Sequence, residues 1–372
     1  MSPQQSTARP QSTEKGSPSP NGQTRGASAN LPLPPEELQR LHYYLKLTRE
    51  FDQRMVDMFR AGQLLGTFFS QVGQEACDVV PTFFANHDDD IVCPSHRDLG
   101  AAIGRDAPVY LMAANMLSRA TAQDKGLSHP VFWGYTDRNF LVPSSVIGNQ
   151  YCVGVGAAMA FKMRKQPNVA LVFLGEGGSS NGALYEGMNF AGLHRLPVIF
   201  VIQNNWWAES VPIHLQAAVE DLSLRAVGFN MPGIRLNGND VPNMIAPIRE
   251  AVDRARNGDG PTLFQMDTYR WYGHSSIDPA NYRDTAEEEF YKAQDPVANF
   301  EKWLLQNGVY TQEALDSRNK AIGQEITDGI VRASGDPEPD SRQYLDLVYC
   351  PEGPLPAPVQ RRWEEWDGKS RR

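Results

Sequence analysis

The chain lacks any pair of cysteines close enough to chelate a metal. Its four, Cys77, Cys93, Cys152 and Cys350, are scattered through 372 residues with no CxxC among them. That argues against a zinc ribbon and a disulfide framework, and predicts reduced thiols in a cytoplasmic setting. A basic excess is missing as well: the net charge is −9, so no global footprint for nucleic acid exists. No apolar run reaches the roughly 18 residues that a membrane-spanning helix needs, and no membrane partner is expected. Residues 1–34 are poor in large apolar side chains and rich in Ser, Pro, Gln, Gly and Asn. They cannot bury enough surface to offset ordering entropy, which predicts a disordered segment. Arg9, Lys15 and Arg25 outnumber Glu14 there, as in transit peptides, but no amphipathic face accompanies them and no secretory apolar core is present.

What is present is a normal globular balance, 41% hydrophobic and 21% charged. Leu38, Leu41, Leu45, Phe51, Met55 and Phe59 recur at near-helical spacing and predict a helix over 35–61, stopped by Gly62. Ile91–Cys93 reads as a short strand before Pro94-Ser95-His96-Arg97. A small-residue helix is predicted over 150–162, and a helix over 241–256 follows the N-cap candidate Asp240 and closes at Asn257-Gly258. Thr262–Met266 reads as a strand feeding a polar loop over 269–283, and 287–330 as mostly helical. Strands alternating with helices predict an α/β fold, a mainly parallel sheet with helices on both faces. The organisation expected is a disordered 1–34, one domain over 35–330 and a C-terminal arm over 331–372.

The informative stretch is 169–207. An apolar strand runs into Gly175-Glu176-Gly177, a helix crosses back, and a second apolar strand runs into Asn204-Asn205. Such a crossover is right-handed, so the two strands are parallel and end on the same side of the sheet. If they are neighbours, Glu176 and Asn205 face one crevice. A carboxylate and an amide there make an oxygen-ligand site for a hard cation, beside a helix N-terminus suited to phosphate. Either half alone reads as an ordinary turn; the pair, at this spacing, reads as a site. A nicotinamide fingerprint fits worse, because Ser180 stands where GxGxxG needs its third glycine.

Over 35–330 the chain resembles the alpha subunits of thiamine diphosphate-dependent 2-oxo acid dehydrogenases. The resemblance rests on GEG…NN, the LPVIFV strand, Gly238-Asn239-Asp240 and Gly260-Pro261-Thr262-Leu263. It implies a transketolase-like thiamine diphosphate-binding fold, with magnesium held by Glu176, Asn205 and the carbonyl of Trp207. Gly177 and Gly178 would let the diphosphate approach the backbone. Most of the family has Asp where Glu176 stands, and branched-chain members often have Glu, which tilts the substrate towards branched chains. Arg97, after the family's S-Y-R pattern, is implied to grip the diphosphate, with His96 replacing the tyrosine. Ser145 and Ile147 would support the bent cofactor, and Ser144, Asn149 and Gln150 could hold potassium.

His274 matches the family's G-H-S-x-x-D-P loop and is the catalytic candidate. An imidazole near neutrality would suit proton handling during acyl transfer. Ser275 matches a serine that kinases phosphorylate in animal relatives. His129 is a weak candidate, since Phe132 aligns better with the family's histidine. The run His87-Asp88-Asp89-Asp90 reads as a solvated turn rather than a metal cluster. Phe69, four residues before Gly73, is an apolar wall suited to an aliphatic substrate. Ala183, Gly187 and Ala191 form a small-residue stripe, either packing within the chain or meeting a partner. The implied activity is oxidative decarboxylation of 3-methyl-2-oxobutanoate-type acids with acyl transfer to a lipoyl-bearing transacylase. The implied assembly is an alpha2–beta2 heterotetramer with a separate beta subunit. A pyruvate dehydrogenase alpha subunit is the nearest alternative, and a nicotinamide-dependent Rossmann dehydrogenase the alternative from another class.

Overall fold

The computed structural model describes residues 31–340 apart from residue 88. Most of the predicted disordered segment, and the arm from 341 onward, lie outside the described residues. In chain order the elements are α1 (Pro35–Arg60), α2 (Ala76–Phe84), β1 (Ile91–Cys93), α3 (Leu99–Gly104), α4 (Val109–Met116) and α5 (Asn149–Arg164). Then come β2 (Ala170–Gly175), α6 (Gly182–Leu193), β3 (Val198–Asn204), β4 (Trp207–Ala208), β5 (Val211–Pro212) and α7 (Ile213–Gln216). The chain continues with β6 (Gly233–Asn237), α8 (Val241–Arg256), β7 (Thr262–Asp267), α9 (Thr285–Lys292), α10 (Pro296–Gln306) and α11 (Gln312–Ser334). Helix α11 thus runs to Ser334, past the boundary drawn at 330.

The main sheet has the order β1-β2-β3-β7-β6, with every neighbouring pair parallel. Its strands alternate between two cores, as a sheet covered on both faces requires. Leu171, Phe173, Ile199, Val201, Phe264 and Met266 face the larger core with α1, α2, α4, α8 and α10. Ala170, Val172, Leu174, Val198, Phe200 and Ile202 face the smaller core with α5 and α6. The small-residue stripe belongs to that second core. Ala191 is fully buried, and a Cβ on Gly187 would sit 3.4 Å from Val155 of α5. These residues pack within the chain.

Buried polar groups brace both ends of the sheet, Asp90 at the N-terminal ends of β1 and β2. Asp90 is fully buried, accepts the Val169 N–H at 2.8 Å and pairs with Arg256, so it anchors β2. Arg49 of α1 pairs with the buried Glu75, which also accepts the Gly73 N–H at 3.1 Å. At Gly73 the backbone takes φ +99°, and a Cβ would lie 2.4 Å from Trp271 and from the Tyr269 carbonyl. Only glycine fits there.

Asp52, also on α1, accepts the Gln71 N–H, and burial lifts its carboxyl to about 7. Its folded pKa therefore lies above the unfolded value near 3.9. The folded state binds this proton more tightly, so the stability it confers is present below about pH 4 and lost as pH rises through 7. Asp52→Asn is expected to melt several degrees above the parent at pH 8.5, a gain of at most about 4 kcal/mol. The difference should shrink towards zero by pH 4.5. Equal melting temperatures at both pH values in scanning calorimetry would contradict this.

Candidate active site

Strands β2 and β3 are adjacent, and their register sets Gly175 opposite Gln203. The residues that follow therefore emerge side by side, as the crossover pattern predicts. The Asn205 backbone N–H donates to Glu176 Oε2 at 3.2 Å. Glu176 is 1% exposed. Burial holds its carboxyl above the ordinary range, and the Asn205 N–H and the positive fields of Arg270 and Arg97 pull it partly back.

The double asparagine has a local reason. The Asn204 and Asn205 side-chain oxygens each accept, at 3.2 Å, the backbone N–H two residues on, from Trp206 and Trp207. Two successive Asx turns swing the chain off the sheet. Trp206 takes a left-handed φ of +72° in that bend.

A cavity of about 510 Å³ opens at this end of the sheet. Its lining includes Glu176, Gly177 and Gly178 after β2; Asn205 and Trp207 after β3; His96 and Arg97 after β1; Ser145 and Ile147 before α5; and His274 from the polar loop. The ten residues implied to hold cofactor and magnesium thus meet in one space. Asn181, the N-cap of α6, donates to the Ile147 carbonyl at 2.9 Å and ties that loop to the crossover helix. Ile147 remains 38% exposed, an apolar side chain presented to the cavity rather than to the core. The glycines answer to packing as well as to access. A Cβ on Gly177 would lie 2.7 Å from Ala208, and one on Gly178 2.5 Å from the Tyr151 hydroxyl.

Arg97 is buried, and its guanidinium donates to the backbone carbonyls of Ser70 and His274, both at 2.6 Å. Among the described residues no carboxylate pairs with it. Burial, with Arg270 adding its charge, lowers its pKa to about 9. A buried cation whose partners are all uncharged, the two carbonyls and His274 Nδ1 at 3.4 Å, on the wall of a cavity, suits an anion.

The two histidines differ from expectation. Burial lowers His274 to about 4, with Arg97 and Arg270 adding to the shift. His96 falls to about 3 by burial and by the charge of Arg97. The expected near-neutral imidazole at His274 is therefore corrected: both rings are uncharged at pH 7. They cluster with Phe69, whose ring centroid lies 4.4 Å from His96 and 5.2 Å from His274.

The potassium candidates are only partly gathered. Asn149 reaches Ser144 Oγ at 3.4 Å, while Gln150 gives its amide N–H to the Phe173 carbonyl at 3.2 Å. His129 lies against Thr67 at 3.2 Å, whereas Phe132 lines the cavity.

The sequence reading passed over Gln74 and Tyr151, which also line the cavity. The signal for Gln74 was a polar pair, Gln74-Glu75, inside an apolar run with no solvent-facing period. Two buried carboxyls behind the cavity were likewise unmarked: Asp98, raised to about 7 by burial, and Asp78, raised by burial and by Asp98.

Comparison with known proteins adds a family to this geometry. A model described as the dehydrogenase E1 component matches residues 44–342. The 2-oxoisovalerate dehydrogenase subunit alpha of Bacillus subtilis (strain 168) is 35% identical over 323 residues, 86% of this chain and 97% of that protein. The pyruvate dehydrogenase E1 component subunit alpha of the same organism is 33% identical over 330 residues, 88% of this chain and 86% of its own length. The 3-methyl-2-oxobutanoate dehydrogenase subunit alpha of Mycobacterium tuberculosis (strain ATCC 25618 / H37Rv) is 33% identical over 328 residues, 86% of this chain and 84% of its own.

Proposed function

We propose, since the chain belongs to the dehydrogenase E1 component family, that it is the alpha subunit of a branched-chain 2-oxo acid dehydrogenase using thiamine diphosphate and magnesium. The observation that carries this reading is the meeting of Glu176, Asn205 and Arg97 on one cavity. A divalent cation needs about six oxygens, of which a diphosphate and water can supply half. Glu176 offers a carboxylate oxygen, Asn205 its amide oxygen and Trp207 its backbone carbonyl. Arg97 then balances the remaining phosphate charge, and His96 and His274 offer neutral ring nitrogens beside it. Ser145 and Ile147 hold the cofactor's bend, with Ile147 as the apolar wedge.

The bound cofactor supplies the carbanion chemistry of decarboxylation. This chain's part is to bind, orient and exclude water. His274 enters as a neutral hydrogen-bonding ring. An arriving diphosphate counters the field of Arg97, so the pKa of His274 rises on loading. In this reading a beta subunit completes the site as an alpha2–beta2 heterotetramer, and a lipoyl-bearing transacylase accepts the acyl group. The chain alone is inactive.

The branched-chain preference rests on Glu176 in place of aspartate and on the apolar Phe69 wall. Each methylene in such a pocket changes the barrier by about 1–3 kcal/mol. The protein purified with its beta-type partner is expected to favour 3-methyl-2-oxobutanoate over pyruvate at least about tenfold in kcat/KM. A preference for pyruvate would overturn the substrate assignment while leaving the cofactor site intact.

A further inference from the structure

We infer that Gln74 is a binding and positioning residue of the cavity: it holds the Asn205 carboxamide in one orientation and turns its own N–H towards an anion beside the cation site. The inference rests on the metal–diphosphate reading above and extends it to a residue outside the donor set named there.

The orientation follows from a chain of hydrogen bonds with one rigid end. The Trp207 backbone N–H can only donate, and it reaches Asn205 Oδ1 at 3.2 Å. That fixes which end of the Asn205 amide is oxygen, so its Nδ2 must face Gln74. Gln74 meets it with Oε1, at 2.9 Å. The remaining end of Gln74 is then necessarily Nε2, a double donor. It is buried with no hydrogen-bond partner, on a fully buried residue that lines the cavity.

A buried amide N–H without a partner costs about 1–3 kcal/mol and is rarely left so unless a ligand completes it. The unmet partner must be an acceptor. Asn205 Oδ1 has meanwhile spent one lone pair on Trp207 and keeps the other. One glutamine thus aligns an oxygen for a cation and a donor for the anion that accompanies it. Its own backbone is firmly placed: Gly73 ahead of it has no room for a side chain, and Glu75 behind it is tied to Arg49.

The test uses the full chain purified with its partner, titrated with Mn2+ alone, monitored by electron paramagnetic resonance, and with inorganic pyrophosphate plus Mg2+ by calorimetry. Gln74→Glu keeps an acceptor for Asn205 but replaces the donor by a carboxylate. It is expected to bind pyrophosphate at least about tenfold more weakly while Mn2+ affinity is kept or increased. Gln74→Met, which has no amide, is expected to weaken both. A purely structural role would lower the melting temperature of both variants without splitting the two affinities, and that result would overturn the inference. If the parent binds Mn2+ and pyrophosphate and Gln74→Glu matches it for both, Gln74 has no such role and the site reading survives. If the parent binds neither, the site reading falls, and this inference with it.

Discussion

Glu176→Ala is expected to lower the affinity of the assembled protein for thiamine diphosphate with magnesium by about 100-fold or more. Glu176 is the only carboxylate among the three residues assigned to the cation, and an amide and a carbonyl cannot neutralise a divalent charge without it. The loss should appear only with magnesium present; weak metal-free binding should stay as in the parent. Stability should move the other way. The carboxyl of Glu176 is held above its ordinary range by burial, so a charge there is a burden on the unliganded fold. The variant is therefore expected to melt no lower than the parent without ligand. Calorimetric titration paired with thermal melting separates the two effects. Unchanged magnesium-dependent affinity would remove the cation site from Glu176.

The second large effect is at Arg97. Arg97→Met keeps much of the side chain's bulk and removes the charge. Charge-assisted hydrogen bonds contribute about 1.5–3 kcal/mol each, so losing two to a phosphate is expected to weaken diphosphate binding by at least about 100-fold. The same change tests the electrostatic account of the histidines. Arg97 contributes to holding down both His274 and His96, so their pKa values should rise in the unliganded variant. Proton NMR of the ring Cε1–H resonances against pH reports this directly. If both histidines titrate as in the parent, burial alone sets them and Arg97 does not.

Much of the fold was legible in the chain because its strongest signals are local. The 35–61 periodicity became α1, Ile91–Cys93 became β1, and the predicted helix after Asp240 became α8 with the same bounds. The crossover logic correctly placed Glu176 beside Asn205, since handedness and adjacency leave little freedom there. Strand β6 escaped notice. It is an edge strand with only Ile234 and Leu236 half-buried among Gly, Arg and Asn, so its apolar alternation is too short to stand out. The short helices α2, α3 and α4 hid inside apolar runs that are almost wholly buried.

The site was legible as a set of residues but not as an electrostatic environment. A G-H-S-x-x-D-P loop says that a histidine is near; it does not say that two arginines converge on it. Burial in the tertiary fold, with that convergence adding to it, turns the expected near-neutral His274 into an uncharged ring. The stripe at Ala183, Gly187 and Ala191 shows the converse. Its spacing fitted either a partner or the chain's own helix, and the distance to Val155 resolves it as internal packing. The free donor of Gln74 follows only from two hydrogen bonds in series, which no sequence pattern carries.

The most direct measurement is a thermal-shift and calorimetric comparison of ligands on the chain assembled with its partner. Thiamine diphosphate with magnesium should bind saturably, one per chain, and raise the melting temperature, while thiamine diphosphate with a chelator and NAD should do neither. Stabilisation by NAD, with none from thiamine diphosphate and magnesium, would contradict the account at its centre.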